Sequence, residues 1–294
     1  MCPSKSSLTK TTVSISQPRN TAWGTNCTVL TDMPPIYHDN AHEVPLEVLH
    51  ESFRAFVATT WRGMAVSADN PYSGFSLCNY TGDEAAHCDG CLRALAQCCG
   101  VPAERVVVPR QTHGTQVLVL SRRDYNEGFS GVDEAQLAGI DAVVTDLRGV
   151  VAGVNTADCL PLVLIDEEAG VAGAVHAGWR GAVAGIAERA MHEMVRLGAN
   201  PRRVKALMGP CIVAEEFEVG EEVAARFPEA CVSRAYGVKP HVDLPLAVAM
   251  QLRGCGVDDI ALPPAGTLSR PDRYFSARAL GVSSGRNFTF VLLK

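Results

Sequence analysis

The feature that most constrains this chain is a succession of short, nearly uninterrupted apolar runs from Val106 onward. Val106–Val108, Gln116–Leu120, Ala142–Thr145, Val150–Val154, Leu160–Ile165 and Val171–Val175 are rich in β-branched residues. They read as strands, several of them suited to burial on both faces. Ala182–Leu197 instead places Ile186, Ala190, Met194 and Leu197 on one helical face, and Gly198 and Pro201 stop it. Val204–Met208 is a further strand, Glu218–Phe227 and Leu244–Leu252 read as helices, and Phe288–Leu293 closes the chain as a strand. This alternation predicts a single mixed-sheet α/β domain.

The 294 residues suit one large domain. Its body is placed at 44–294, after a Ser/Thr/Lys-rich extension over 1–43 that ends near Pro34 and Pro35 and is expected to be disordered. With 47% hydrophobic and 20% charged residues, the chain can bury a sizeable core. A net charge of −6 and scattered Lys and Arg argue against nucleic-acid or membrane partners. There is no apolar run of about 20 residues, the length needed to span a bilayer. The first residues lack the apolar core of a secretory signal. An odd count of 11 cysteines without such a signal predicts reduced thiols and a cytoplasmic location.

Three segments place a reactive side chain where a strand meets a turn: His113 in PRQTHGTQV, Cys159 in NTADCLPLVL and His176 in VAGAVHAGWRG. Two imidazoles and a thiolate suit zinc, and three protein ligands would leave a fourth position for water or substrate. The other reading of the same residues is a buried structural thiol with two hydrogen-bonded histidines. Spacing alone leaves both open. Exposed N–H groups at the start of the helix after HAGWRG would favour an anion, with Arg180 and Arg278 as fork-shaped donors beside it. Asp158 reads equally as a general acid/base and as a turn residue bonding its own backbone.

QTHG, ADCLP and HAGWRG in this order, followed by GPCI, FEVG and FSAR…SGR, resemble the YfiH family from about Ala65 to the C-terminus. This family is also called laccase-domain, polyphenol-oxidase-like or peptidoglycan-editing-factor. The resemblance implies a compact domain of layered sheets and helices, similar to the catalytic domain of cytotoxic necrotizing factors. It implies His113, Cys159 and His176 as metal ligands. Zinc is the expected ion, and copper an adventitious occupant because it outcompetes zinc for such donors. Asp158 and Arg180 are then the expected catalytic residues, and Ser76, Gln111, Arg180 and Arg278 the expected contacts to substrate and phosphate.

The implied activity is purine nucleoside phosphorolysis or adenosine deamination by a monomer or homodimer, acting on adenosine, inosine, guanosine or methylthioadenosine. Editing of peptidoglycan precursors, copper-dependent phenol oxidation and a non-catalytic zinc-binding role are the alternatives. The 8 histidines form no His-x-His pair of the kind multicopper oxidation uses. Against the family pattern the chain has Ser76 for an Asn, Cys91-Leu92 for an Asn-Arg pair, Gly266 for the Cys of a Cys-Thr pair, and Ala279 for an Arg. Such departures bear on the substrate pocket. Cys88-x-x-Cys91 and Cys98-Cys99 lie on a helical stretch from Glu84 to Gly100, where adjacent cysteines diverge. They read as small buried hydrophobes.

Overall fold

The computed structural model describes residues 44–63, 67, 70–125 and 128–294, so the extension over 1–43 lies outside the described residues. The strands are β1 (Leu46–Glu51), β2 (Ala55–Thr60), β3 (Val106–Val107), β4 (Gln116–Leu120), β5 (Ile140–Thr145), β6 (Val151–Thr156) and β7 (Leu160–Asp166). They continue as β8 (Val171–Ala177), β9 (Lys205–Met208), β10 (Val232–Ser233), β11 (His241–Val242), β12 (Asp259–Ala261) and β13 (Asn287–Leu293). Two large sheets result, ordered β1-β2-β13-β6-β3 and β12-β9-β7-β8-β5-β4, with β10-β11 as a separate ribbon. Both are mixed: β3–β6, β4–β5 and β9–β12 pair in parallel and the other ladders are antiparallel.

Period-two alternation explains why the runs are apolar throughout. On β7, Val163 and Ile165 face a core shared by the two sheets, which also holds Val57, Val143, Ala152, Ala172 and Val291. Leu160, Leu162 and Leu164 face the opposite way, onto helices Ile186–Arg196 and Leu244–Gly254 through Ile186, Ala190, Met194 and Val248. The outer face of the five-stranded sheet, with Phe56, Phe288 and Phe290, is covered by helix Ala85–Cys98 through Cys91 and Leu95. The layers therefore run helix, sheet, sheet, helix. No helix among the described residues is long and apolar enough to cross a membrane.

Three local expectations are corrected. Strands β1 and β2 precede Val106, where the sequence reading has none; β2 is the Ala- and Thr-containing run AFVATT, too mild in pattern to stand out. The helix read as Ala182–Leu197 is two helices, Trp179–Val183 and Ile186–Arg196. Between them Gly185 sits at φ +80°, a left-handed conformation that ends the first. Only Glu221–Ala224 of the stretch Glu218–Phe227 is helical, because Glu218 is drawn into a bridge with His241.

Leu164 is fully buried on the helix-facing side of β7, whereas Val195 is exposed on the helix above that face. Leu164→Ala is expected to cost about 2–5 kcal/mol by equilibrium denaturation. Val195→Ala should stay within about 0.5 kcal/mol.

Candidate metal centre and its pocket

Pairing of β5, β7 and β8 assembles the centre. His176 on β8 lies opposite Pro161 of β7. On the other side, β8 pairs with β5 so that Val175 faces Ala142. Continuing that register by one residue sets Asp141 opposite His176. The Asp141 carboxylate is buried and accepts from His176 Nδ1 at 2.8 Å. It also accepts from the backbone N–H of His113 at 2.9 Å and of Gly114 at 2.7 Å. One buried carboxylate thus holds the turn carrying one histidine and the ring of the other. With His176 Nδ1 bonded to Asp141, its Nε2 is left as the donor for a metal.

Cys159 sits at the start of β7, just after Asp158. Among the described residues, Asp158 and His113 are the two non-glycine residues at positive φ, +85° and +62°. Both lie in the turns that present the donors, and such strain recurs at functional sites. The donor atoms of His113, Cys159 and His176 all lie within 4.8 Å of one another. Two glycines of HAGWRG permit this approach. A Cβ at Gly178 would stand 2.8 Å from the His113 ring and 3.1 Å from Cys159 Sγ, and one at Gly181 2.8 Å from the Gly114 carbonyl oxygen. The donor set, the fixed tautomer and the glycine-lined approach fit a zinc-type ion.

Electrostatics reinforces that fit. Burial disfavours the Cys159 thiolate, but the adjacent charge of His176 and hydrogen bonds from His113 and His176 outweigh it and bring the thiol down to about 6. Burial likewise opposes charge on His176, yet Cys159 and Asp141 together raise it to about 9. Asp141 stays below the usual carboxylate range despite its burial, held there by His176 and by the backbone N–H groups of Gly114 and Thr112. Without metal the centre is a thiolate–imidazolium pair.

The three donors line a pocket of about 510 Å³, within the range typical of small-molecule sites. Of the residues expected at substrate, Gln111, Asp158 and Arg278 reach this pocket. Gln111 is tied to Asn155: its Nε2 donates to the Asn155 carbonyl at 2.6 Å and its Oε1 accepts from the Asn155 N–H at 2.8 Å. Asp158 accepts from the Thr267 hydroxyl and from the Arg278 N–H, each at 2.7 Å. The Arg278 guanidinium donates to the Glu218 carbonyl at 3.2 Å through two nitrogens.

Arg180 and Ser76 do not line the pocket. Arg180 is exposed and stacks over Trp179, 4.4 Å from the ring centroid; Trp179 itself faces the pocket, and the next residue on a helix turns away. The helix it sits on is only five residues long, so its N-terminus carries little of the dipole expected there. Ser76 is fully buried and accepts from the Arg286 N–H at 3.1 Å. Cys91, Leu92, Gly266 and Ala279 also lie outside the pocket lining.

Sequence reasoning missed Asp141, Asn155, Tyr80 and Arg286. The signal for Asp141 was its charge inside the apolar run IDAVVT, where a buried carboxylate needs partners. Asn155 is 3% exposed and lines the pocket. Its amide interacts with the Tyr80 phenol, but neither its oxygen nor its nitrogen has a hydrogen-bond partner of good geometry.

Fold and site together define a layered α/β protein with a His/Cys/His centre at the wall of a small-molecule pocket. The chain belongs to the family described as multi-copper polyphenol oxidoreductase laccase, whose model matches residues 55–294. It is 42% identical over 257 residues to a protein named adenosine deaminase RL5 from an unknown prokaryotic organism, covering 83% of this chain and 95% of that one. It is 37% identical over 238 residues to a purine nucleoside phosphorylase of Deinococcus radiodurans, covering 80% and 87%. Among solved structures, YlmD of Geobacillus stearothermophilus matches with a TM-score of 0.73 at 26% identity, over 82% of this chain and 93% of that one. YfiH of Bacillus licheniformis shares the fold with a TM-score of 0.76 at 20% identity, over 90% and 98%.

Asp141→Asn keeps the shape of the linchpin but removes its charge. Zinc affinity, measured by chelator competition, is expected to fall by about 10- to 100-fold. In metal-free protein Cys159 should be the most readily alkylated of the described free thiols, its rate rising through a midpoint near pH 6. An ordinary thiol would titrate at about 8.5. Saturating zinc should abolish the labelling, as read by peptide mass spectrometry.

Proposed function

We propose that this chain is a zinc-dependent enzyme of purine nucleosides, with phosphorolysis of the N-glycosidic bond as its leading reaction. The observation that carries this reading is the convergence of His113, Cys159 and His176 on the pocket that Asn155 also lines. The names of the relatives at 42% and 37% identity, an adenosine deaminase and a purine nucleoside phosphorylase, supply the substrate class. Small-molecule nucleoside and phosphate are then the partners, and the cytoplasm is the compartment that supplies them.

His113, Cys159 and His176 would hold the ion, which when bound supplies Lewis acidity toward phosphate or water. The remaining chemistry falls to the chain. Asn155, whose amide meets the Tyr80 phenol without a hydrogen bond of good geometry, has capacity left for the edge of a purine, since an Asn amide can pair with adenine N6 and N7. Gln111 positions Asn155 through its backbone. The Arg278 guanidinium has five N–H donors, of which the Glu218 carbonyl occupies only part, so it can meet an anionic oxygen. Arg286, whose guanidinium donates to the Ser284, Gly285 and Val282 carbonyls, adds a fixed positive charge to the wall.

In phosphorolysis a phosphate oxygen bonds to the ribose C1′ as the C1′–N9 bond breaks. The electron pair leaves with the purine, which takes up a proton. Each Asp158 oxygen accepts one hydrogen bond and keeps further lone-pair capacity, so Asp158 can accept a proton from a substrate hydroxyl or from attacking water. Deamination is the second reading, favoured by the name of the 42%-identical relative. There water attacks the purine C6 and ammonia leaves, and the same Asn155 contact would hold the ring.

Zinc-loaded protein incubated with adenosine, with and without phosphate, separates these readings by chromatography. Adenine and ribose-1-phosphate are expected only with phosphate. Inosine in both tubes would assign deamination instead, and intact adenosine in both would overturn the proposal. Cys159→Ala should abolish turnover while the circular dichroism spectrum is unchanged.

A further inference from the structure

Among the described residues, two groups bring three potential metal donors within 4.8 Å of one another. One is the centre above. The other is Asp83, His87 and Cys88, at the start of helix Ala85–Cys98. We propose that Asp83, His87 and Cys88 form a second site for a zinc-type divalent ion, with Cys91 orienting the His87 ring from behind. This proposal is independent of the reaction assigned to the pocket.

The placement follows from helix geometry. His87 lies four residues before Cys91, so these two share a face of the helix, while Asp83 lies just before its first turn and reaches His87 from that end. Its Nδ1 is 3.0 Å from Asp83 Oδ2, and its Nε2 is 3.6 Å from Cys91 Sγ. Two oxygen or nitrogen ligands at about 2.0–2.1 Å from a tetrahedral zinc stand about 3.3 Å apart. An ion can therefore enter between Asp83 and His87 Nδ1 with a shift of a few tenths of an ångström. His87 Nε2–H would then donate to Cys91 Sγ, an outer partner of the kind that fixes a metal-bound imidazole.

A thiol that merely fills a core has apolar neighbours. Cys88 is buried, yet one of its neighbours is a carboxylate with only 5% of its side chain exposed. A buried carboxylate beside a thiol and an imidazole lacks apolar logic and has ligand logic. The Asp83 oxygens accept from the Glu84 N–H at 2.8 Å and face His87, and an ion would neutralise the charge that remains. The His87 side chain is 37% exposed, which gives an entry path and leaves a fourth position to water. On binding, Cys88 and His87 Nδ1 release to solvent whatever proton each carries.

The structure buries Cys88, Cys91, Cys98 and Cys99, as the sequence reading expects, and the proposed site adds a ligand role for Cys88 alone. The cysteines need not all converge, because Asp83 and His87 complete the set from one side. The ion would clamp the loop that ends at Asp83 onto the helix. That loop carries Tyr80, which lines the catalytic pocket.

The test is zinc content per folded chain in a Cys159→Ala background, which disables the first centre, by elemental analysis after dialysis against metal-free buffer. One zinc per chain is expected. The additional change His87→Ala, at a partly exposed position and with an unchanged circular dichroism spectrum as the check on folding, should lower its affinity at least tenfold. Cobalt(II) added to the Cys159→Ala protein should give a thiolate–cobalt charge-transfer band that Cys159→Ala/Cys88→Ser lacks. A Cys159→Ala chain that binds neither zinc nor cobalt overturns the site. So does metal retained with equal affinity after His87→Ala, or a cobalt band unchanged by Cys88→Ser.

Discussion

The buried carboxylate of Asp141 is the constraint on which the centre depends. It accepts from the His176 ring and from the backbone of residues 112–114. It therefore ties a strand interior to a turn that sheet pairing alone would leave free. A carboxylate buried this deeply would be costly if unpaired. Here its partners satisfy it, and in doing so set the position of His113 and the tautomer of His176. The pocket, the thiolate and the glycine-lined approach follow from that arrangement.

Much of this was legible in the sequence, for particular reasons. The runs LPLVLID and VAGAVHA announce strands because both faces must be apolar between a second sheet and a helical layer. The donors His113, Cys159 and His176 stood out because each occupies a strand–turn junction and because the surrounding segments resemble a known family. Asn155 was hidden because a strand residue's role depends on which strand end opens into a cavity, and period-two patterning does not encode that. Arg180 was favoured because it lies inside the most specific motif. The motif's specificity belongs to its glycines, where Cβ atoms would strike His113, Cys159 and Gly114.

The two helices after His176 illustrate a local device overriding a smooth pattern. Ile186, Ala190 and Met194 keep helical spacing, and the structure buries all three. Gly185 nonetheless interrupts the chain just before them, so the short helix bearing Trp179 can lean toward the pocket while the longer one packs on β8 and β5. Periodicity sees the second helix and extends it; only backbone conformation separates them.

The antiparallel pairing of β7 with β8 has a consequence for how this lineage can vary. Cys159 and His176 lie side by side at the open end of a single hairpin, closed at its other end by the turn between Asp166 and Val171. Adjacent residues on β8 face opposite layers: Ala172 the second sheet, Val171 and Val175 the helices. Gain or loss of one residue within the β8 arm would carry His176 to the helical side, and within the β7 arm would do the same to Cys159, parting the two donors in either case. Length changes are free only in the turn itself, which acts as a ruler: it can be redrawn at its far end, while the distance marked on its two arms decides whether the chain holds metal at all.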